Sequence, residues 1–233
     1  MIEVQVIASG SSGNCYRIKS GSSQLLLEAG IPIKKIKEAI NWELGNIDGC
    51  LVTHEHMDHA KAADDILREG VELFMSRGTA EALLLEDKVR EVEADTVFSI
   101  GKWTIMPLQA QHDAAEPLAW LISDGEDKLL FATDTYYLNY KFTGLTLVML
   151  ECNYSDEILK GRMLDGAISE KQARRLLRSH FSLRHACLFF SKLDLSLVRQ
   201  IWLLHISGMN GNPKLFETEI KKITGKPVRA CTN

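Results

Sequence analysis

A chain of 233 residues with 45% hydrophobic, 25% charged and only 7% aromatic residues has the make-up of a soluble globular protein able to bury a sizeable core. Its net charge of −4, with 16 Gly and 5 Pro, excludes a charge-swollen or low-complexity chain. No apolar run approaches the roughly 20 residues of a membrane helix, and five scattered cysteines without a Cys-x-x-Cys pair argue against a disulfide framework or a thiolate zinc knuckle.

In chain order, the first residues alternate polar and apolar, which predicts a strand over 4–8. They lack the basic and apolar regions of a secretory signal, so a cytoplasmic location is expected. The turn Ser9-Gly10-Ser11-Ser12-Gly13-Asn14 serves equally as a hairpin or as a set of backbone N–H groups that a phosphate could approach. Further strands are predicted over 24–28, 49–53, 71–75, 103–108, 119–123, 128–133, 146–151 and 200–205. Between them, residues 33–40 place Ile33, Ile36, Ala39 and Ile40 on one helical face. Ser169 and Gln172 have capping-box spacing ahead of Ala173, Leu176 and Leu177, and Ser182 stands as a cap before Leu183, Ala186, Cys187 and Phe190. Asn210, Gly211 and Asn212 form a loop with no assignment. Apolar strands interleaved with helices predict an α/β layered fold, and without a visible linker or repeat one domain over 1–233 is expected.

Charge is unevenly placed: residues 1–159 carry 26 acids and 13 bases, while residues 160–233 carry 5 acids and 14 bases. Arg174, Arg175, Arg178 and Arg184, near His180, read equally as a phosphate-attracting rim and as a solvated helix face.

The most informative segment is His54-Glu55-His56-Met57-Asp58-His59, directly after the apolar Leu51-Val52-Thr53. A lone histidine is usually structural, but three imidazoles and a carboxylate at the end of a buried strand are costly to desolvate unless a cation compensates. The segment offers more than one metal ion needs, which suggests two. His112, Asp134 and His205 each stand at the carboxyl end of a predicted strand and complete a donor set of nitrogen and oxygen that suits Zn2+ and equally Mn2+ or Fe2+.

The order His54-x-His56-x-Asp58-His59, His112, Asp134, His205 resembles the metallo-β-lactamase superfamily. The segments Ala8 to Asn14, His112-Asp-Ala-Ala-Glu-Pro117 and Ala132-Thr-Asp-Thr135 resemble its YycJ-like, ribonuclease Z-like phosphodiesterase branch. The resemblance covers nearly the whole chain. It implies a four-layer αβ/βα sandwich of two facing mixed sheets flanked by helices, with the site at one edge. It also implies one ion on His54, His56 and His112, a second on Asp58, His59 and His205, and Asp134 bridging; Asp58 counts with the catalytic residues as well. Glu28 stands where many relatives carry an aspartate that supports the ligands.

Two such ions, Zn or Mn, would supply an activated water and neutralise charge on the scissile group, which points to hydrolysis, but they would polarise carbonyl and phosphoryl groups alike. An alkoxide leaving from phosphorus benefits from a general acid. His180, in Ser179-His-Phe-Ser182, is not needed by the metal count and is the candidate. Ribonuclease Z-type members have a histidine in a similar segment that works with a glutamate, and the resemblance assigns that partner to Glu151. His185, nearby, is read as structural or solvent-facing.

The expected function is therefore cleavage of nucleic-acid phosphodiesters by a nuclease, with an exonuclease within reach of the same reading. Only 16 residues separate Asp134 from Glu151, leaving little room for an RNA-binding arm. The alternative is a cyclic mononucleotide phosphodiesterase, as in phage anti-Pycsar enzymes. A carbonyl hydrolase, lactamase or thioesterase, is a further class; of these, the secreted lactamases are disfavoured by the absent signal peptide and by an aspartate-plus-histidine second site without cysteine. A metal-binding protein without catalysis has no use for the additional Glu151/His180 pair. The expected partner is a nucleic acid or cyclic nucleotide, with no membrane, and a homodimer is left open.

Overall fold

The computed structural model describes residues 1–232. Its elements are β1 (Glu3–Ala8), β2 (Cys15–Ser20), β3 (Ser23–Leu27), α1 (Ile33–Ala39), β4 (Gly49–Leu51), α2 (Met57–Ala60), α3 (Ala63–Arg68), β5 (Leu73–Met75), α4 (Arg77–Leu83), β6 (Arg90–Glu91), β7 (Phe98–Ile100), β8 (Trp103–Gln109), β9 (Leu118–Ser123), β10 (Lys128–Ala132), β11 (Leu147–Glu151), α5 (Asp156–Leu164), α6 (Glu170–Ser179), α7 (Leu183–Lys192), β12 (Gln200–Leu204), α8 (Pro213–Thr224) and β13 (Val228–Ala230). The strands make two mixed sheets flanked by helices, one of six strands in the order β1 to β6 and one of seven. The predicted α/β class is the observed one.

Residues 1–109 and 114–128 form one compact unit, and residues 110–113 and 129–232 a second. In the first unit, β1, β2 and β3 pair antiparallel, and from β3 to β6 the pairing is parallel. Leu26, Cys50, Leu73 and Met75 of the sheet and Val52 just beyond β4 are buried in one apolar cluster with Ile36, Ile66 and Ala80 of the helices and Ile40 at the end of α1. The apolar face read from residues 33–40 is thus the face that α1 buries. The antiparallel strands β7, β8 and β9 also belong to this unit.

In the second unit, β10, β11, β12 and β13 run parallel. The runs Leu147 to Leu150 and Ile201 to Leu204 are buried, as strands covered on both faces must be. Register then decides where the polar residues emerge. Ala132 pairs with Leu150, and Leu150 with Leu203, so Asp134, Glu151 and His205 leave three neighbouring strands at one carboxyl edge.

Several elements escaped prediction for identifiable reasons. Strands β6, β7 and β13 span two or three residues each, too few to show a period. Helix α5 is mostly polar and buries only Leu159, so it shows no apolar face. Helix α8 did carry its signals: Asn212 accepts from Leu215 N at 3.0 Å as the N-cap, Pro213 fills the first turn, and Gly225 ends it with φ 64°. The loop around Asn212, which has no assignment from sequence, is the start of this helix.

Candidate metal centre

In the first unit, the chain leaves β4 through Val52 and Thr53 into the histidine segment. His54 and His59 are buried. Thr53 Oγ1 lies 2.9 Å from His54 Nδ1, and His54 Nε2 lies 3.0 Å from His56 Nδ1. His56 stays extended as the N-cap of α2, so Asp58 and His59 fall on the first helical turn. The rings of His54 and His59 are 4.2 Å apart, and His59 Nε2 is 3.6 Å from Asp58 Oδ2. Glu55 points elsewhere, its Oε1 accepting from Ala115 N at 2.8 Å.

This segment is held from behind by backbone. Asn14 N donates to Asp58 O at 2.8 Å, Ala29 N to His59 O at 2.7 Å, and Gly30 N to Asn14 O at 2.8 Å. Asn14 Nδ2 lies 3.2 Å from His59 Nε2, and Asn14 Oδ1 accepts from Gly10 N at 2.9 Å. A Cβ on Gly30 would stand 1.7 Å from Asp58 O, so only glycine permits this approach. The small-residue turn 9–14 is therefore a brace for the histidine segment. Glu28 is buried with φ 67°; its Oε2 accepts from Thr53 N at 3.3 Å and lies 3.6 Å from His59 Nδ1. Burial pushes this carboxyl group up in pKa, against the opposing pull of His59 and Thr53.

In the second unit, five polar side chains converge. One ligand atom from each of Asp134, Glu151, His180 and His205 lies within 4.8 Å of the others. Glu151 is fully buried: its Oε1 is 2.6 Å from His180 Nδ1 and 3.2 Å from His205 Nδ1, and its Oε2 accepts from Thr135 N and Phe181 N, each at 3.1 Å. Asp134 Oδ1 lies 3.1 Å from His205 Nδ1. His112 Nδ1 is 2.8 Å from the carbonyl of Ser179, which leaves Nε2 facing Asp134 Oδ2 at 3.6 Å. Asn153 Nδ2 donates to His205 O at 2.8 Å. Both Asp134 and His205 sit in the left-handed region, φ 43° and 49°, a conformation non-glycine residues keep only when the surroundings enforce it.

The titration of this group follows from its packing. Burial alone would discharge His180, but the carboxylates of Glu151 and Asp134 and the hydrogen bond to Glu151 outweigh it and hold the imidazole above its ordinary pKa. Glu151 is likewise opposed by burial, yet the charge and hydrogen bond of His180 keep it ionised below the usual carboxylate range. Burial pulls His112 down, toward the neutral form that can ligate a cation.

The donors fit divalent ions. Carboxylate oxygens and imidazole nitrogens packed this densely and away from water need a cation to offset their desolvation, and a set without thiolate matches a borderline metal. The five free cysteines are not part of it. The first unit brings together His54, His56, Asp58 and His59, and the second His112, Asp134, Glu151, His180 and His205. Arg184 is exposed on α7, and His185 is half-buried, its ring edge-on to Phe181. Sequence reasoning missed Gly30, Asn153 and the Ser179 carbonyl as supports. A glycine and an asparagine close in sequence to assigned residues were the available signal for the first two, and a carbonyl gives none.

Two mixed sheets flanked by helices and these imidazole–carboxylate clusters define a metal-dependent hydrolase of the metallo-β-lactamase fold. The family described as "Beta-lactamase superfamily domain" matches residues 32–206, and the chain belongs to that superfamily. It is 26% identical to the "Exodeoxyribonuclease WalJ" of Streptococcus pneumoniae over 228 residues, covering 90% of this chain and 83% of the relative. It is also 26% identical to the "Exodeoxyribonuclease YycJ" of Bacillus anthracis over 241 residues, covering 95% and 89%. The metallo-beta-lactamase fold protein YhfI of Bacillus subtilis shares the fold, with TM-score 0.77 at 16% identity over 100% of this chain and 97% of that one.

Proposed function

We propose that this chain is a dinuclear metal-dependent phosphodiesterase that cleaves DNA as an exonuclease. Residues 1–233 are read as one domain of the family, a reading supported by a family match that runs through both compact units. His54, His56 and His112 would hold one divalent ion, zinc or manganese, and Asp58, His59 and His205 a second, with Asp134 shared. Such ions supply charge neutralisation at the scissile phosphate and an activated water.

The observation that carries the phosphodiester reading is the contact between His180 Nδ1 and Glu151 Oε1 at 2.6 Å. In its protonated form His180 donates Nδ1–H to Glu151, so the Nε2 proton is the one free to transfer to a departing oxygen. Glu151, fixed by the N–H groups of Thr135 and Phe181, orients the ring and favours the charged acid. A carbonyl hydrolase has less need of such an acid outside its ligand set. The five cysteines form no disulfide, an arrangement compatible with a cytoplasmic location, and among the described residues no helix is long and apolar enough to cross a membrane.

The test is a substrate panel with metal-loaded protein: bis(p-nitrophenyl) phosphate, nitrocefin, a thioester, an oligodeoxynucleotide and cyclic mononucleotides. Turnover of the two diesters that are not cyclic is expected. Hydrolysis confined to nitrocefin or the thioester would refute the assignment, and cleavage of cyclic nucleotides alone would replace it with the smaller substrate.

A further inference from the structure

Resting on the nuclease reading, we infer that the exposed face of α6 is a track for the sugar-phosphate backbone of a polymeric substrate, leading away from the scissile bond. Helix α6 carries Lys171, Arg174, Arg175 and Arg178 at spacings of three, four and seven residues, which places all four on one face. They are exposed, whereas Ala173 and Leu176 on the opposite side pack against Tyr154 and Leu159. The four cations line a cleft of 310 Å³ together with Asp113 and Ser179.

Two features connect this cleft to the chemistry. Asp113 follows His112 directly, and its Oδ2 takes Arg175 Nε at 2.7 Å. Ser179 offers its carbonyl to His112 Nδ1 and immediately precedes His180. The cationic face therefore begins where the proposed acid and a proposed ligand are anchored.

The charge is available to a ligand. Arg174 is engaged with Glu170, and Arg175 with Asp113, but Lys171 and Arg178 form no ion pair among the described residues. From Lys171 to Arg178 the helix rises about 10 Å, matching about three successive phosphates of a nucleic-acid strand. A cyclic mononucleotide has a single phosphate, which the reaction itself occupies, and would leave this face unused. The chain concentrates these bases although its first 159 residues carry twice as many acids as bases.

The test variant is K171A/R178A, because neither side chain supports the fold through an ion pair. Its binding to a fluorescein-labelled, phosphorothioate-linked oligodeoxynucleotide is measured by anisotropy on metal-loaded protein across a salt series. The variant should bind about tenfold more weakly and lower the slope of log affinity against log salt by about 1 to 2, because each cation removed leaves one phosphate without its partner. KM for a cleavable oligodeoxynucleotide should rise, while turnover of bis(p-nitrophenyl) phosphate stays within about twofold. K214A/K221A, which removes two exposed lysines of α8, controls for net charge and should leave the slope as it was. An unchanged slope in K171A/R178A, or an equal change in K214A/K221A, overturns the track while wild-type cleavage of the oligodeoxynucleotide preserves the nuclease reading. Wild-type protein that hydrolyses bis(p-nitrophenyl) phosphate but neither binds nor cleaves the polymer overturns both.

Discussion

The two compact units build their polar clusters in opposite ways. In the first, four donors lie within six consecutive residues and are held by the main chain: the contacts of Asn14, Ala29 and Gly30 with the carbonyls of Asp58, His59 and Asn14 itself. In the second, His112, Asp134, Glu151, His180 and His205 come from five separate segments and are held largely by side chains, with Glu151 touching two imidazoles and two backbone N–H groups. A contiguous cluster depends on how closely its supporting backbone can approach. A dispersed cluster depends on each member's charge and hydrogen bonds, so single substitutions there should reach further into function.

The sharpest way to break this contrast is Asp134→Ala. As the residue proposed to be shared by both ions, its loss should lower the metal content of the loaded protein from about two ions per chain and abolish hydrolysis. Elemental analysis and turnover together decide, and retained activity would remove Asp134 from that role.

His180→Ala should keep both ions but lose roughly 10²–10⁴-fold in turnover on a diester with an alkoxide leaving group. The loss should shrink sharply with p-nitrophenolate, which departs without a proton. Glu151→Gln should follow the same leaving-group pattern more mildly at His180, but it also removes a charge facing His205, so a drop in metal affinity is expected beside it. Equal losses on both leaving groups, or loss of metal in His180→Ala, would return His180 to a structural role.

On the other side of the comparison, Gly30→Ala should act on stability. Its Cβ cannot coexist with Asp58 O, so the brace must move, at a cost of about 1–3 kcal/mol or more. Thermal unfolding should show the loss, and metal content should fall with it because the displaced segment carries Asp58 and His59. A variant with wild-type melting and full metal content would show that the brace does not position the histidine segment.

The first cluster was legible because a chain needs no fold to bring neighbours together: His54, His56, Asp58 and His59 announce a cation by their density alone. The apolar runs that became β4, β10, β11 and β12 were legible for a related reason, since strands buried on both faces must be apolar along their whole length. The polar residue at the end of each of the last three runs, Asp134, Glu151 or His205, was visible as an interruption. What the sequence could not express was distance. Parallel register brings those three residues to one edge, packing carries His180 to 2.6 Å from Glu151 and His112 to the Ser179 carbonyl, and the bond from Asn14 N to Asp58 O made the turn 9–14 a brace. Composition and periodicity record what each residue prefers locally, whereas these contacts join segments separated by tens of residues, so only the folded chain could decide them.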